Sequence, residues 1–350
     1  MGLREYIIRR LILMIPIMLG VVILIFAIIQ FVPPAQRVGL YTTGNPRELR
    51  PEATAQLIHQ YGLDQPVWVQ FYDWIVEVLR GNLGFSETSS EQVLTGLIKR
   101  IPATFEIVLY SAPLIIFVGI YLGVKSAVAK DKPLDHFTRV LSIMATSLPS
   151  FFFGVTLSAI FIAQLKWTTA GRMNVGYFST YVSMLGQGNW HVYTGLLTID
   201  SLFNGRLDFF VDSITHLVLP VTVLVFIQTA VMVRVTRSSM LEALGKTYIT
   251  AARAKGLTRS EVIYKHARRN ALIPVVTISG LLVGGMMTGL VITETVFLFP
   301  GIGNWAATAS QRFDLPVVAA YSMFSAAVFV LSNLIVDVLY AYIDPRIRLG

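Results

Sequence analysis

Cysteine is absent from the 350 residues, which excludes disulfides and thiolate metal sites outright. Charge is scarce: only 14% of residues are Asp, Glu, Lys or Arg, against about 25% in soluble globular domains. The five histidines (His59, His136, His191, His216 and His266) are scattered, and no His-Glu-x-x-His occurs, so a zinc-protease site lacks its ligands. A membrane-embedded hydrolase would need a nucleophile with a base, or paired carboxylates, and the apolar runs carry only isolated carboxylates. No cluster of basic and aromatic residues of the kind that binds nucleic acid stands out. A phosphate-binding loop is missing too. Gly245-Lys246-Thr247 has the end of that motif, but Met240 stands where its first Gly belongs, and no strand pattern precedes it. The triplet reads as a helix-end Gly followed by a surface Lys. A chain without that loop must take any ATP-derived energy from a partner.

Apolar sequence is abundant. Hydrophobic residues make up 54% of the chain, and the mean hydropathy is +0.64. The apolar runs are long enough to cross about 30 Å of hydrocarbon as helices, so the chain reads as an all-α polytopic membrane protein. Six spans are expected, over 11–32, 103–128, 140–165, 216–233, 272–293 and 317–342. The first follows Arg4, Arg9 and Arg10 and ends at Pro33-Pro34. It is longer than the apolar core of about 7–15 residues in a cleaved signal peptide, so it reads as an uncleaved helix. Pro149 is expected to kink the third span.

Three regions follow: 1–32, the N-terminal tip and first helix; 33–102, a polar extracytoplasmic cap; and 103–350, a core with a long outer loop at 166–215 and a cytoplasmic loop at 236–271. In the cap, short helices are expected near 51–61 and 67–79. The spacing of Trp68, Phe71, Trp74, Ile75 and Leu79 gives the second of these one apolar face. Of 28 Lys and Arg residues, 18 fall in the N-terminus, the turn after the second span, the 236–271 region with the end of the fourth span, and the tail with Arg346 and Arg348. The remainder sit mostly in long loops, which count little toward orientation. Both termini and the central loop are therefore placed in the cytoplasm.

Several residues stand out in or beside the apolar runs. Glu294 and Asp337 lie near span ends, where capping or pairing is expected of an intramembrane carboxylate as readily as a pathway role. Arg234 and Arg237 close the fourth span and read as interface anchors. Gly280, Gly284, Gly285 and Gly289 form two small-xxx-small pairs that let helix backbones approach closely, either in ordinary packing or along a pathway. His266 with Arg268 and Arg269 is expected to face acidic lipid or a partner.

The most informative stretch is 241–274, polar and basic between two apolar runs. Ala243, Leu244, Ile249, Ala251, Ala252 and Ala254 supply small or apolar helix surface before Gly256. After it, Thr258 and Glu261 have the spacing of a capping box. Gly256 is the natural residue for a left-handed turn between two helices. A helix–Gly–helix hairpin with small residues on one side forms a docking knob.

Thr250-Ala251-Ala252-Arg253-Ala254-Lys255-Gly256 resembles the EAA loop of ABC-importer permeases, with Thr250 in place of the Glu and the closing Leu272-Ile273-Pro274 later than in the general motif. The Ala-Arg-Ala-Lys-Gly-Leu wording and Arg269 to Pro274 are similar to the dipeptide/oligopeptide/nickel subclass. So are Glu294-Thr295-Val296-Phe297, Pro300-Gly301-Ile302-Gly303 and Asp344-Pro345-Arg346, and more loosely Tyr61-Gly62-Leu63-Asp64 and Gly81-Asn82-Leu83-Gly84. The resemblance is clearest over 217–348. It implies a methionine-importer-type permease core with an added N-terminal helix, in the manner of the first permease of a heteromeric pair. It also implies a second homologous permease subunit, two cytoplasmic ATPases that carry the ATP and Mg, an extracytoplasmic solute-binding protein, and residence in the cell membrane. The expected coupling residues are Tyr248, Thr250, Ala251, Ala252, Arg253, Ala254, Lys255, Gly256 and Leu257. Gly280, Gly284, Gly285, Gly289 and Glu294 are the candidates for packing or pathway. The chain itself would be no enzyme and bind no cofactor. Peptides are the expected solute, with oligosaccharides or nickel as alternatives.

Overall fold

A computed structural model describes residues 3–42 and 51–343. The Asp344-Pro345-Arg346 motif, Arg348, and the side chains of Arg4 and Asp337 lie outside the described set. The described chain is helical apart from loops and one antiparallel hairpin, β1 (Phe85–Ser86) with β2 (Glu91–Gln92). Among the described residues, five helices are long and apolar enough to cross a membrane, and a sharply bent pair supplies a sixth crossing if counted as one span. Helices dominate because no water reaches the hydrocarbon core to satisfy exposed backbone groups.

α1 (Leu3–Ile29) stops three residues short of the expected end, and the Pro33-Pro34 step then opens α2 (Pro34–Arg37). The cap holds α3 (Pro51–Gln60) and α4 (Val67–Leu79), close to expectation. Trp74 of α4 is buried against Phe26 of α1, the rings 5.4 Å apart. The second span is longer than expected: α5 (Val93–Val128) begins at the β-hairpin and runs through Pro102 and Pro113.

The third span differs in kind. α6 (Pro133–Ser147) and α7 (Ser150–Leu157, continued by a π-helical turn over Ser158–Gln164) meet at 93° rather than forming one kinked helix. Pro149 explains the break. It has no N–H to continue the ladder, and it pushes Leu148 out of helical space, to φ −84° and ψ 120°.

The 166–215 region is not an irregular loop. It holds α8 (Val175–Gly186) and α9 (Leu197–Phe203), and α10 (Leu207–Leu244) starts within it. α10 is therefore extended at both ends relative to the expected 216–233. Arg234, Arg237 and Glu242 mark where it leaves the apolar layer, but charged residues are good helix formers and do not end it. After α11 (Thr247–Ala254), a π-helical segment at Glu261–Ala267 continues without interruption into α12 (Arg268–Met287). The fifth span thus sits several residues earlier than expected. It ends where Gly289 turns to φ +119°. α13 (Val291–Val296) and α14 (Ile302–Gln311) form a short helical reversal before α15 (Leu315–Ile343).

The centre of the bundle is the α5–α10 pair, with α12 against α10 and α15. Apolar side chains gain nothing from meeting each other rather than lipid, so close packing must hold these helices together. Gly119 supplies it where a Cβ would strike the Met232 side chain, and Gly123 where it would come within 2.5 Å of Thr236 Cβ. Ile107, Ile115, Leu217, Leu224, Met232 and Val275 fill this core.

Outside it, buried carboxylates hold the connections. Glu106 of α5 is fully buried and accepts from Arg172 Nε at 2.8 Å and from the backbone N–H and hydroxyl of Thr198, both at 2.7 Å. It fastens the 166–215 region to the N-terminal half of α5. Asp314 accepts from Ser86 Oγ and Thr88 N, each at 2.8 Å, and so ties the β-hairpin to the α14–α15 turn.

Candidate functional site

The hairpin at 247–271 is built by two local devices that are legible in its sequence. At the end of α11, Gly256 N–H donates to the Arg253 carbonyl at 2.9 Å, and Leu257 N–H donates to that of Ala252 at 3.4 Å. These are the two bonds of a Schellman motif, which needs a left-handed residue between them. Gly256 supplies it at φ +80°. Immediately afterwards Glu261 accepts from the backbone N–H of Thr258 at 2.9 Å and its hydroxyl at 2.7 Å, while Thr258 Oγ1 accepts from Glu261 N at 3.3 Å. That is the reciprocal capping box, and it starts the helix leading into α12.

One face of the hairpin is committed to the chain's own core. Ile249, Ala252, Val262, Ile263 and Ala267 pack with Val124 and Ala127 of α5 and Met240 and Ala243 of α10. Leu257 is partly buried against the same cluster. The other face is open: Tyr248, Thr250, Ala251, Arg253, Ala254, Lys255 and Gly256 are exposed. The expected coupling residues therefore divide. Ala252 faces inward and holds the hairpin, while Ala251 and Ala254 lie on the accessible side. A cleft of about 480 Å³ beside this packing is lined by Val128 at the end of α5 and by Arg253, Leu257 and Arg259 of the hairpin.

Gly245-Lys246-Thr247 is a helix junction. Gly245 caps α10, and Lys246 precedes α11 in an extended conformation. Its ammonium meets the Glu242 carboxylate at 2.8 Å, and the hydrogen bond between them raises the Lys246 pKa above its ordinary value.

The four glycines of the fifth span play different parts. Gly280 abuts Val336 of α15, and a Cβ on Gly284 would meet Ser332 at 2.6 Å, so this pair permits the α12–α15 approach. Gly285 faces open space, and Gly289 makes the turn out of α12 against Gly303. Glu294 is fully buried, accepting from Thr104 Oγ1 at 2.6 Å and from Asn304 N at 2.8 Å. The Gly301 and Gly303 backbones crowd its carboxylate, which leaves no room for side chains there. Among the described residues no group of three or more His, Asp or Glu side chains is placed to hold a metal ion.

Arg237, expected to anchor at the interface, is paired within the chain. It donates from Nε and Nη2 to Asp135 at 2.6 and 2.7 Å. Asp135 sits in the first turn of α6 and is completely buried. Arg234, three residues earlier, is exposed. Nothing in the sequence pairs Asp135 with Arg237, because the partners lie 102 positions apart. An acidic residue in a first turn reads only as a helix-start preference.

Residues 115–349 match the family of binding-protein-dependent transport system inner membrane components. Residues 3–108 match the N-terminal region of such membrane components. The dipeptide transport system permease protein DppB of Escherichia coli (strain K12) is 39% identical over 347 residues, covering 98% of each chain. The di/tripeptide transport system permease protein DppB of Pseudomonas aeruginosa (strain UCBPP-PA14) is 38% identical over 352 residues, with 98% of each covered. The oligopeptide transport system permease protein AppB of Bacillus subtilis (strain 168) is 34% identical over 350 residues, covering 98% of this chain and 99% of the relative.

Proposed function

The chain belongs to the family of binding-protein-dependent transport system inner membrane components, and from that premise we propose that it is the permease subunit of an ATP-driven importer of di- or oligopeptides. The observation that carries the coupling is the two-faced hairpin. One side is locked into the inner ends of α5 and α10, and the other is free for a cytoplasmic ATPase. Small residues on the free side, Ala251 and Ala254, let a partner surface approach closely. The peptide assignment is supported by relatives over nearly the whole chain that are named for dipeptide, di/tripeptide and oligopeptide transport.

The remaining parts of the assembly follow from this reading: a second homologous permease, two ATPases that bind ATP and Mg, and an extracytoplasmic solute-binding protein. The mechanism is alternating access. Closure of the ATPase dimer moves the hairpin, and α10 and α12 carry that motion into the spans. The permease itself makes and breaks no covalent bonds.

The test is uptake of radiolabelled dialanine into proteoliposomes that hold the chain with its partner subunits and binding protein. Uptake is expected to require ATP and to be competed by unlabelled di- and tripeptides, and not by an oligosaccharide or Ni²⁺. Competition only by the oligosaccharide or Ni²⁺ would move the solute to that class. Solute flux without ATP would overturn the importer.

A further inference from the structure

The hairpin meets the membrane bundle through α10, which runs unbroken from Leu207 to Leu244. Arg237 lies two helical turns before that end, about 10 Å along the axis. Its bidentate bond to Asp135 is the charged tie between the hairpin-bearing end of α10 and the start of α6. α6 in turn leads to the 93° break at Leu148-Pro149. Taking the hairpin as the ATPase dock, as proposed above, we propose that the Asp135–Arg237 pair is the positioning contact that carries hairpin displacement into the bent α6–α7 pair.

The surroundings fit a rigid joint. Asp135 also accepts from Ser126 Oγ at 2.5 Å and from Asp131 N at 3.1 Å. Thr138 Oγ1 donates to Ser126 Oγ at 2.9 Å and completes the network. One carboxylate therefore gathers the end of α5, the turn after it, the start of α6, and α10. The pair also adjoins a close α5–α10 approach, where Gly123 meets Thr236. With α5 and α10 in close contact there, movement of the α10 end is directed to α6 rather than absorbed between helices.

Energetics point to position rather than stability. Removing both charges from water offsets most of their attraction, and apolar residues of similar volume commonly hold such a site as well or better. Two parallel N–H···O bonds, however, set distance and orientation together. Lysine, with one compact ammonium, cannot reproduce that fork.

The test uses the complete importer with its binding protein, reconstituted in proteoliposomes. It compares wild type with Asp135→Leu/Arg237→Met, Asp135→Asn and Arg237→Lys. Two quantities are measured: ATPase subunit co-purified with the chain, and dialanine taken up per ATP hydrolysed. The double variant is expected to retain the ATPase while its solute-per-ATP ratio falls roughly tenfold, within the range that inter-site couplings span. Its ATP hydrolysis should no longer rise when loaded binding protein is added. Arg237→Lys should fall between, because it restores charge without the fork. A merely structural tie would leave the ratio unchanged in every variant that assembles, and that result overturns the proposal. So does failure of all three variants to assemble, which would make the pair a folding requirement. A wild-type preparation with no associated ATPase would instead overturn the importer reading itself.

Discussion

Thr104 Oγ1 donates to Glu294 Oε1 at 2.6 Å and accepts from the backbone N–H of Ile302 at 2.9 Å. One hydroxyl in the N-terminal half of α5 thus holds both the α13 carboxylate and the first residue of α14. Glu294→Ala would orphan the Asn304 N–H and free Thr104, at a cost of about 1–3 kcal/mol for each buried group left unpaired. Gly301→Ala should cost at least as much, since its Cβ would collide with the Glu294 carboxylate. Thermal unfolding in detergent measures both, and a wild-type midpoint for Gly301→Ala would contradict the close packing.

A Cβ on Gly256 would meet nothing within 4 Å beyond its own chain neighbours, so the requirement for glycine is conformational, not steric. At φ +80° a β-branched residue is strained by about 1–3 kcal/mol. Gly256→Val is expected to insert normally while losing uptake and ATPase co-purification. Gly256→Asn should retain both, because Asn tolerates the left-handed region. Wild-type uptake and co-purification in the Val variant would remove the hairpin from the coupling role.

The glycines of the bundle are expected to separate by what faces them. Gly123→Val must force Thr236 away and should lower stability by about 1–3 kcal/mol, as overpacking does. Gly285→Ala meets nothing within 4 Å and should stay within about 0.5 kcal/mol of wild type. Equal shifts in unfolding midpoint for the two would show that this contact does not hold α5 to α10.

Orientation can be read directly, because the chain has no cysteine of its own. Asn189→Cys should react with an impermeant maleimide in intact cells. Lys132→Cys and Arg259→Cys should react only after the membrane is opened. Labelling of Arg259→Cys from outside would invert the topology.

Acid should loosen the joint between the β-hairpin and α5. Burial alone would raise the Glu91 pKa, but bonds from Lys99 at 2.7 Å and Arg100 at 2.6 Å outweigh it and hold the carboxyl below its usual range. A depressed folded-state pKa contributes stability above the unfolded value, about 4.3 for Glu, which is lost as pH falls through the folded value. Amide protection over 85–100, corrected for the intrinsic exchange rate, should therefore fall on acidification below about pH 4, and Glu91→Gln should flatten that dependence. An identical acid profile in the Gln variant would assign the effect elsewhere.

The sequence by itself determined whatever depends on near neighbours. Long uncharged runs can only be helices in hydrocarbon, because the backbone must satisfy itself. Thr258, three residues before Glu261, and Gly256 before them specify the hairpin turn through bonds that close within a few residues. Tertiary structure decided the rest. The start of α10 inside a polar stretch and the different surroundings of Gly280, Gly284 and Gly285 depend on what each segment meets. The same holds for Asp135 with Arg237, Glu106 with Arg172 and Thr104 with Glu294, separated by 102, 66 and 190 positions. No helical or strand period links residues so far apart. Only folding brings such charges and hydroxyls together, and burial then makes their pairing obligatory.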